Sequence, residues 1–345
     1  MRIIVTGGAG FFGSVLAEYL VDQGHEAISI DRLTAESSKY RNIKLDLTDG
    51  AKLMETLREI GESGQIDGII HAAAMLAHDK ENLDRLWISN VDGTKNILEC
   101  ARQLKIKRVV FISTNCVFST GFDKPVDEST PVNPIERYGE SKLAAEKLFE
   151  EYKDVSSLIL RSPTIMSAGR LGLLTILFDF VIEGRKLYLV GDGNNRYSFI
   201  YAKDLANACL LALQSEHTGI YHIGSDNVPT MREMYRDLML FAGKKPRLWC
   251  VPEGPSVLAM KILNKLNLSP LGPYHYRMIA ANFVFDNSKL KRDLGWSPTL
   301  TNTQILCDAY KYYQDNFDAI NNASGVSAHK SKAKAGILNL LRIIS

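Results

Sequence analysis

The sequence lacks the features that identify several classes of protein. Its five cysteines are scattered over 345 residues and form no C-x-x-C pair, so neither a disulfide framework nor a zinc site of that kind is expected. No uncharged run reaches the ~18 residues that a membrane-spanning helix needs, and no signal peptide fits before the first glycine-rich turn. Basic and acidic residues nearly balance, at 41 and 39, which argues against a nucleic-acid-binding protein. We therefore expect a cytoplasmic protein with reduced thiols and no bound metal.

The sequence does contain a regular alternation of short apolar strands and helices. Strands are predicted at residues 2–6, 27–30, 43–45, 68–71, 108–113 and 157–161. Helices are predicted between them at 14–23, 51–60, 93–104 and 140–152, and a later one at 231–241. Val- and Ile-rich strands that alternate with helices are typical of a parallel sheet buried on both faces. The predicted fold class is therefore α/β, a Rossmann-type doubly wound parallel sheet with a smaller, mainly helical C-terminal substrate domain.

Composition also predicts the domain boundaries. The first domain covers residues 1–162 and regains 205–225 after the chain has left it. A substrate-binding domain covers 163–317, where glycine and proline are more frequent. Residues 318–345 are predicted as a linker and a basic amphipathic tail, because four basic and no acidic residues lie between Ala319 and Ser345. This tail would make peripheral contact with an anionic membrane or a partner, unless it is disordered.

A glycine-rich turn, TGGAGFFG at residues 6–13, connects the first predicted strand to the first predicted helix. Its glycines let the backbone turn tightly and approach a pyrophosphate, whose negative charge the helix N-terminus stabilises. Asp31 follows the next strand, where its carboxylate can accept hydrogen bonds from ribose hydroxyls and would repel a 2′-phosphate. The pattern predicts a dinucleotide site that prefers NAD to NADP, although Arg32 leaves NADP open.

Tyr138 and Lys142 are four residues apart at the start of a predicted helix, so their side chains lie on one face. A free tyrosine has a pKa of about 10, too high for a base at neutral pH. A neighbouring ammonium lowers the pKa of the phenol because it stabilises the phenolate. The pair is therefore either a general base with its activating cation or an ordinary pair on a helix surface.

Together with YGESK at 138–142, several further segments resemble the extended short-chain dehydrogenase/reductases, in particular their NAD-dependent nucleotide-sugar epimerase/dehydratase family. These segments are VFISTNCVF at 110–118, HAAA at 71–74, NVDGT at 90–94, DLA at 204–206, YHIGS at 221–225 and KLKRDLGW at 289–296. They occur in the family's order over residues 1–317 and omit only the tail. The resemblance implies a homodimer formed through helices 93–104 and 140–152, with NAD as cofactor.

The resemblance also implies which residues act. Thr114 would bind the reacting hydroxyl, Tyr138 would remove its proton, and Lys142 would hold the nicotinamide ribose and lower the pKa of the tyrosine. The cofactor contacts that it implies are Gly7, Gly10, Phe11, Phe12, Gly13, Asp31, Arg32, Asp46, Leu47, Ala72, Ala73, Ala74, Asn90, Ser113, Tyr138, Lys142 and Pro163. The substrate contacts that it implies are Thr114, Asn115, Thr164, Arg196 and Arg277.

Arginine is expected at the substrate diphosphate because its planar fork matches phosphate oxygens. In the family this arginine usually stands seven residues before the aspartate of the DLA segment. Arg196 stands eight residues before Asp204, and Tyr197 occupies the usual position. Arg277 is the second candidate for this role.

The residues after Thr114 narrow the reaction. The family's 4,6-dehydratases usually carry an Asp–Glu pair there, and its decarboxylases keep the Glu. Asn115 and Cys116 cannot replace that pair as acid and base. The sequence therefore favours a nucleotide-sugar epimerase similar to UDP-glucose 4-epimerase. A keto-sugar reductase, a 3β-hydroxysteroid-type dehydrogenase and a non-catalytic NAD-binding scaffold are the alternatives.

Overall fold

The computed structural model describes residues 1–34, 37–76, 82–118, 121–266 and 278–322. The strands are β1 Arg2–Thr6, β2 Glu26–Asp31, β3 Arg41–Lys44, β4 Gly68–His71, β5 Val109–Thr114, β6 Ser157–Ser162, β7 Thr164–Met166, β8 Leu187–Val190, β9 Phe199–Tyr201, β10 Gly219–His222 and β11 Leu248–Val251. The helices are α1 Phe11–Asp22, α2 Gly50–Glu62, α3 Leu83–Trp87, α4 Gly93–Gln103, α5 Arg137–Glu151, α6 Leu174–Ile182, α7 Ala202–Gln214, α8 Met231–Phe241, α9 Glu253–Lys265, α10 Ser288–Leu294, α11 Asn302–Asp315 and α12 Phe317–Asn322. A π-helical turn, Ile88–Asp92, joins α3 to α4.

Seven strands form one parallel sheet in the order β10-β6-β5-β4-β1-β2-β3. The residues of β4 and β5 are all buried, because helices cover both faces of the sheet. One face packs against α1 and α7, and the other against α2, α4 and α5. The predicted doubly wound Rossmann-type sheet is therefore confirmed.

Two helices of this sheet begin earlier than the sequence predicts. Helix α1 starts at Phe11 instead of Ser14, because Gly10 is its N-cap and offers no capping side chain as a signal. Helix α5 starts at Arg137, three residues before the predicted start, so that Tyr138 lies in its first turn. Both shifts bring the predicted site residues onto helix N-termini.

The rest of the chain is mainly helical. Its core is formed by α6, α8 and α11, where Phe178 packs against the rings of Tyr310 and Tyr313. Two small sheets, β8–β11 and β7–β9, lie beside these helices. The chain returns to the large sheet through α7, which packs against α1, and β10, which pairs with β6.

The end of the chain differs from the predicted boundary. Helix α12 runs through residue 318, where the linker was expected to begin, and continues to Asn322. The predicted basic tail lies outside the described residues. Within the described ranges, no helix is both long and apolar enough to cross a membrane.

The buried Trp296 joins the C-terminal part to α7, because its indole N–H donates to the Asp204 carbonyl oxygen at 2.9 Å. Replacing Trp296 by Phe removes this hydrogen bond and leaves a gap in a fully buried site, so we expect a loss of about 1–3 kcal/mol of unfolding free energy in urea. Trp249 is 57% exposed and provides the control. Trp249→Phe should change stability by less than about 0.5 kcal/mol, and equal losses in the two variants would contradict the assigned role of Trp296.

Candidate active site

The glycine turn has the shape that a dinucleotide needs. Gly7 has a left-handed backbone, with φ of +80°, and a Cβ there would lie 2.7 Å from the Ala73 Cα. Gly13 lies in the first turn of α1, where a Cβ would lie 2.0 Å from the Gly7 carbonyl oxygen. No side chain caps the helix at Gly10, so its first amides are left for a ligand. This cradle of bare backbone fits a pyrophosphate.

The predicted ribose acid lies beside the turn, at the end of β2. Asp31 accepts hydrogen bonds from the amides of Ala9, at 3.1 Å, and Leu33, at 2.9 Å. An open cleft of about 540 Å³ adjoins it, lined by Arg32, Leu33, Lys44, Leu45, Asp46 and Arg85. The fold therefore brings Asp31, Arg32 and Asp46 together, as an adenosine site requires.

A chain of buried hydrogen bonds starts at the glycine turn. The Ala73 amide donates to Thr6 Oγ1 at 3.2 Å, and the Thr6 hydroxyl donates to His71 Nδ1 at 2.6 Å. His71 Nε2 donates to Thr94 Oγ1 at 2.9 Å, and the Thr94 hydroxyl donates to the Asn90 carbonyl oxygen at 2.6 Å. These directions assign the proton of a neutral His71 to Nε2.

Asn90 carries this chain to helix α5. From the π-helical turn, its side-chain oxygen accepts the Met75 amide at 2.7 Å, and its NH₂ donates to Met75 O and Ser141 Oγ, both at 3.0 Å. The Ser141 hydroxyl then donates to the Tyr138 carbonyl oxygen at 2.8 Å. Both N–H groups of Asn90 bond protein atoms, so this predicted cofactor residue positions α5 against the segment after β4.

The Tyr138 phenol lies close enough to the Thr114 hydroxyl for Thr114 to lower the pKa of the phenol. Thr114 ends β5, and its Oγ1 also accepts the Cys116 amide at 3.1 Å. Burial has the largest effect on the Tyr138 phenol and raises its pKa, and the neighbouring Cys116 raises it further. The Thr114 hydroxyl and the Arg170 guanidinium lower it. The structure thus brings together the two hydroxyls that the sequence predicts.

Lys142 lies one helical turn after Tyr138 and is almost fully buried. Its Nζ is 3.8 Å from the ring centroid of Phe111. Burial lowers the pKa of Lys142 to about 7, while the Glu146 carboxylate raises it. Burial, together with the charge of Lys142, lowers the pKa of His71 to about 3, so His71 stays neutral and has a structural role.

Arg170 brings a second cation to Tyr138. It lies in the loop between β7 and α6, and its guanidinium carbon is 5.6 Å from the ring centroid of Phe11. Burial lowers the pKa of Arg170 to about 10, and Tyr138 opposes this shift. It pairs with no carboxylate among the residues described here. A positive charge in this position favours the phenolate form of Tyr138.

A buried ion pair lies behind these residues. Glu146, one turn after Lys142 on α5, accepts hydrogen bonds from Arg161 Nε at 3.0 Å and Nη2 at 2.7 Å. The Ser113 hydroxyl, predicted to contact the cofactor, donates to the same carboxylate. The side chains of Arg161 and Glu146 are only 5% and 3% exposed.

The predicted substrate residues are only partly brought together. Asn115 follows Thr114, and its amide donates to the Tyr197 hydroxyl at 2.7 Å. Arg196 is exposed and lines a separate cleft of about 410 Å³, to which neither Thr114 nor Tyr138 contributes. Tyr197, the residue at the family's usual arginine position, therefore contacts the site, and Arg196 faces away from it.

The remaining predicted residues lie around this centre. Ala72, Ala73 and Ala74 follow β4, Pro163 is buried after β6, and Thr164 begins β7. Phe11, Phe12 and Leu47 are buried apolar residues near the cofactor cradle. Arg277 lies outside the described residues. Within the described chain, no group of three His, Cys, Asp or Glu side chains could hold a metal ion.

Sequence reasoning missed Glu146, Arg161 and Arg170, and it noted Tyr197 only as the residue at the family's usual arginine position. The first two carried a signal, because each is a charge within a buried stretch: Glu146 next to Ala145 on α5, and Arg161 at the end of β6. Arg170 lies in a loop without periodicity, and only the tertiary structure places it near Tyr138.

Comparison with known proteins gives a family and a fold. The model of the NAD dependent epimerase/dehydratase family matches residues 3–224. The uncharacterized protein y4nG of Sinorhizobium fredii is 35% identical, over 98% of this chain and 85% of its own length. A 3-beta-hydroxysteroid dehydrogenase of Mycolicibacterium neoaurum is 27% identical over 92% of this chain and 93% of its own. A UDP-glucose 4-epimerase of Corynebacterium glutamicum is 24% identical over 97% of this chain and 100% of its own length.

Two solved structures have the same fold. UDP-glucose 4-epimerase of Thermotoga maritima, solved with UDP-glucose, has a TM-score of 0.73 and 22% identity, and covers 92% of this chain and 100% of its own. WbmG of Bordetella bronchiseptica, solved with NAD and UDP, has a TM-score of 0.75 and 21% identity. The match covers 95% of this chain and 99% of WbmG.

Two helical glycines allow a matched test of the cradle. Gly13→Ala puts a methyl group against the Gly7 carbonyl, so we expect NAD to bind at least about tenfold more weakly, a loss of about 1.4 kcal/mol. Gly61 lies in α2 with no atom near its added Cβ. Gly61→Ala should keep the affinity and stabilise the protein by about 0.5–1 kcal/mol. Calorimetric titration with NAD measures the affinities, and unchanged binding by Gly13→Ala would rule out the cradle.

The charge of Arg170 allows a test on Tyr138. Arg170→Gln removes a cation beside the phenol, so the pKa of Tyr138 should rise by about one unit. The tyrosinate absorbance of each protein, minus that of the same protein with Tyr138→Phe, isolates the titration of Tyr138. Arg170→Lys keeps the charge and should shift the pKa less. An identical titration in wild type and Arg170→Gln would show that the guanidinium does not act on the phenol.

Proposed function

The chain belongs to the NAD dependent epimerase/dehydratase family, and from that premise we propose that it is a nucleotide-sugar epimerase similar to the UDP-glucose 4-epimerases. NAD is the cofactor of this family. The observation that carries the proposal is that the Tyr138 phenol lies beside the Thr114 hydroxyl, with no carboxylic acid at the two positions after Thr114. Asn115 and Cys116 stand where dehydratases need an acid and a base, which leaves chemistry that requires one proton acceptor and a hydride carrier.

In this proposal Tyr138 manages the proton. Its phenolate accepts the proton of a sugar hydroxyl, whose oxygen is held by the Thr114 hydroxyl. The chemistry that NAD supplies when bound is reversible hydride transfer. Tyr138 returns its proton when the ketone is reduced from the opposite face. The reaction inverts one carbon and leaves no net NADH.

The cations of the site favour this cycle. Arg170 lowers the pKa of Tyr138 and so increases the fraction of phenolate. Lys142 would hold the nicotinamide ribose, while Asp31 and the amides of α1 would hold the adenosine ribose and the pyrophosphate. All of these groups belong to strands and helices, except Arg170, which lies in a loop.

Substrate binding is assigned to Thr114, Asn115, Thr164 and Tyr197, which lie at or beside the pair of hydroxyls. Asn115 and Tyr197 are hydrogen-bonded across the two parts of the chain. They can fix the sugar ring, since both carry polar groups on a buried or half-buried wall. Arg196 and Arg277 remain candidates for the diphosphate, with Arg196 acting only if the substrate reaches the second cleft.

A second candidate is a 3β-hydroxysteroid-type dehydrogenase. It is supported by the hydroxysteroid dehydrogenase that is 27% identical over nearly the whole of both chains. The same Thr, Tyr and Lys residues can oxidise a sterol hydroxyl. The two functions differ in one respect, since a dehydrogenase releases NADH with each turnover.

We also propose that the enzyme is a cytoplasmic homodimer. All five cysteines are free thiols, as a reducing compartment requires. Helices α4 and α5 pack side by side on one face of the sheet, where a partner could complete a four-helix bundle. Light scattering coupled to size-exclusion chromatography measures the mass of the particle.

Cofactor retention and sugar interconversion test the function together. Purified protein is denatured to release bound nucleotide, and native protein is incubated with a panel of UDP-sugars without added nucleotide. We expect NAD in the extract and interconversion of one sugar pair. Tyr138→Phe should lower the rate by about 10²–10⁴-fold because the proton acceptor is lost, whereas Tyr188→Phe, on β8, should keep it.

The outcomes separate the two candidates. If the protein turns over a sterol, needs added NAD and produces one NADH per product, the epimerase proposal is wrong and the dehydrogenase function is supported. NAD binding without turnover of any sugar or sterol would support the non-catalytic scaffold instead.

A further inference from the structure

The buried charge behind the catalytic helix has no role in the steps proposed above. Glu146 is buried and lies further along α5 than the residues of the pocket. Tyr138, Lys142 and Glu146 follow one another at four-residue intervals on this helix. Three residues at this spacing lie in one row along the helix. The row runs from the pocket, through the ammonium, to the carboxylate.

Keeping Lys142 charged in this position costs free energy, because the ammonium is removed from water. Its side chain is 2% exposed, its Nζ lies over the ring of Phe111, and no described carboxylate is within 4.0 Å of it. The titratable groups that face it are His71 from β4, Tyr138 and Glu146 from α5, with Arg161 of β6 behind Glu146. His71 is neutral, and Tyr138 is an anion only as its phenolate, so Glu146 is the carboxylate among these groups that can stabilise the ammonium.

Glu146 is itself held in place by its partners. The Arg161 fork donates two hydrogen bonds to it as an ion pair, and the Ser113 hydroxyl donates a third. A buried ion pair persists when its geometry is good and further hydrogen bonds satisfy it. Because β5 and β6 are paired with Ser113 opposite Arg161, the sheet fixes all three donors in place.

We propose that Glu146 is a positioning residue for Lys142: held by Arg161 and Ser113, it keeps the lysine charged in the dehydrated pocket and sets the upper pH limit of cofactor binding. This inference rests on the role proposed above for Lys142 at the nicotinamide ribose. A neutral amine would lose the charge and one donor hydrogen, so the affinity for NAD falls as Lys142 deprotonates. Loss of Glu146 moves that fall to lower pH, since the ammonium then lacks its stabilising anion.

The test is the pH dependence of NAD binding. Calorimetric titrations from pH 6 to 9 compare protein freed of bound nucleotide in three forms: wild type, Glu146→Gln and Glu150→Gln. Glu150 lies on the same helix with an exposed side chain, so it is the matched control. We expect the pH at which the NAD affinity has fallen halfway, the midpoint, to be about one pH unit lower in Glu146→Gln than in wild type. At pH 7.5 the Kd of Glu146→Gln for NAD should be about tenfold higher than that of wild type. Glu150→Gln should stay within about twofold of wild type. An unchanged midpoint in Glu146→Gln would overturn the proposal.

A second variant separates electrostatics from structural damage. Glu146→Gln leaves Arg161 buried and unpaired, which alone can destabilise the protein. The double variant Glu146→Gln/Arg161→Gln removes both charges and should still show the lowered midpoint. Recovery of the wild-type midpoint in the double variant would mean that the orphaned arginine caused the effect, and would refute the proposal.

The role of Lys142 has its own control. Lys142→Met should bind NAD weakly at every pH, without the wild-type midpoint. If Lys142→Met keeps the wild-type pH dependence, the role proposed for Lys142 is wrong, and the inference about Glu146 falls with it. If only sugar turnover is absent while these binding results hold, the epimerase assignment fails and the inference stands.

Discussion

The buried hydrogen-bond chain from Thr6 to Ser141 is the interaction on which the geometry of the site depends. It begins on β1 beside the glycine turn, passes through the neutral His71 and Asn90, and ends on the backbone of α5 at Tyr138. Each donor faces one acceptor, so the chain has a single direction and a single low-energy arrangement. It therefore fixes the distance between the cradle for the pyrophosphate and the phenol.

The second constraint is the exclusion of water from the charges of the site. Lys142 and Arg170 approach the pocket, and Arg161 and Glu146 compensate each other behind it. In such a low-dielectric setting each charge acts over a longer distance than it would at the surface. The net positive charge suits the phenolate role proposed for Tyr138, and it suits a cofactor with two phosphate groups. Structure, cofactor and proposed reaction therefore depend on the same electrostatics.

The sequence predicts much of this molecule because many of its signals are local. Strand and helix periodicity locates the parallel sheet, and glycines that no other residue can replace mark the turn before α1. Spacing alone brings Tyr138 and Lys142 onto one face. Contacts between distant elements cannot be predicted from local signals. That Tyr197 contacts the site, and Arg196 does not, depends on how the C-terminal part packs against the residues after β5. The role of Asn90 depends on a π-helical turn, which periodicity does not predict.

The return of the chain to the large sheet has a consequence for synthesis. Strand β10 covers the outer edge of β6, and α7 covers the apolar face of α1, yet both come from residues beyond 200. A nascent chain that has emerged only as far as β6 would expose an unpaired strand edge and an uncovered helix face. Such surfaces invite association with other chains. The nucleotide-binding half is therefore not a separable module, and a ribosome must deliver about two thirds of the chain before that half can close.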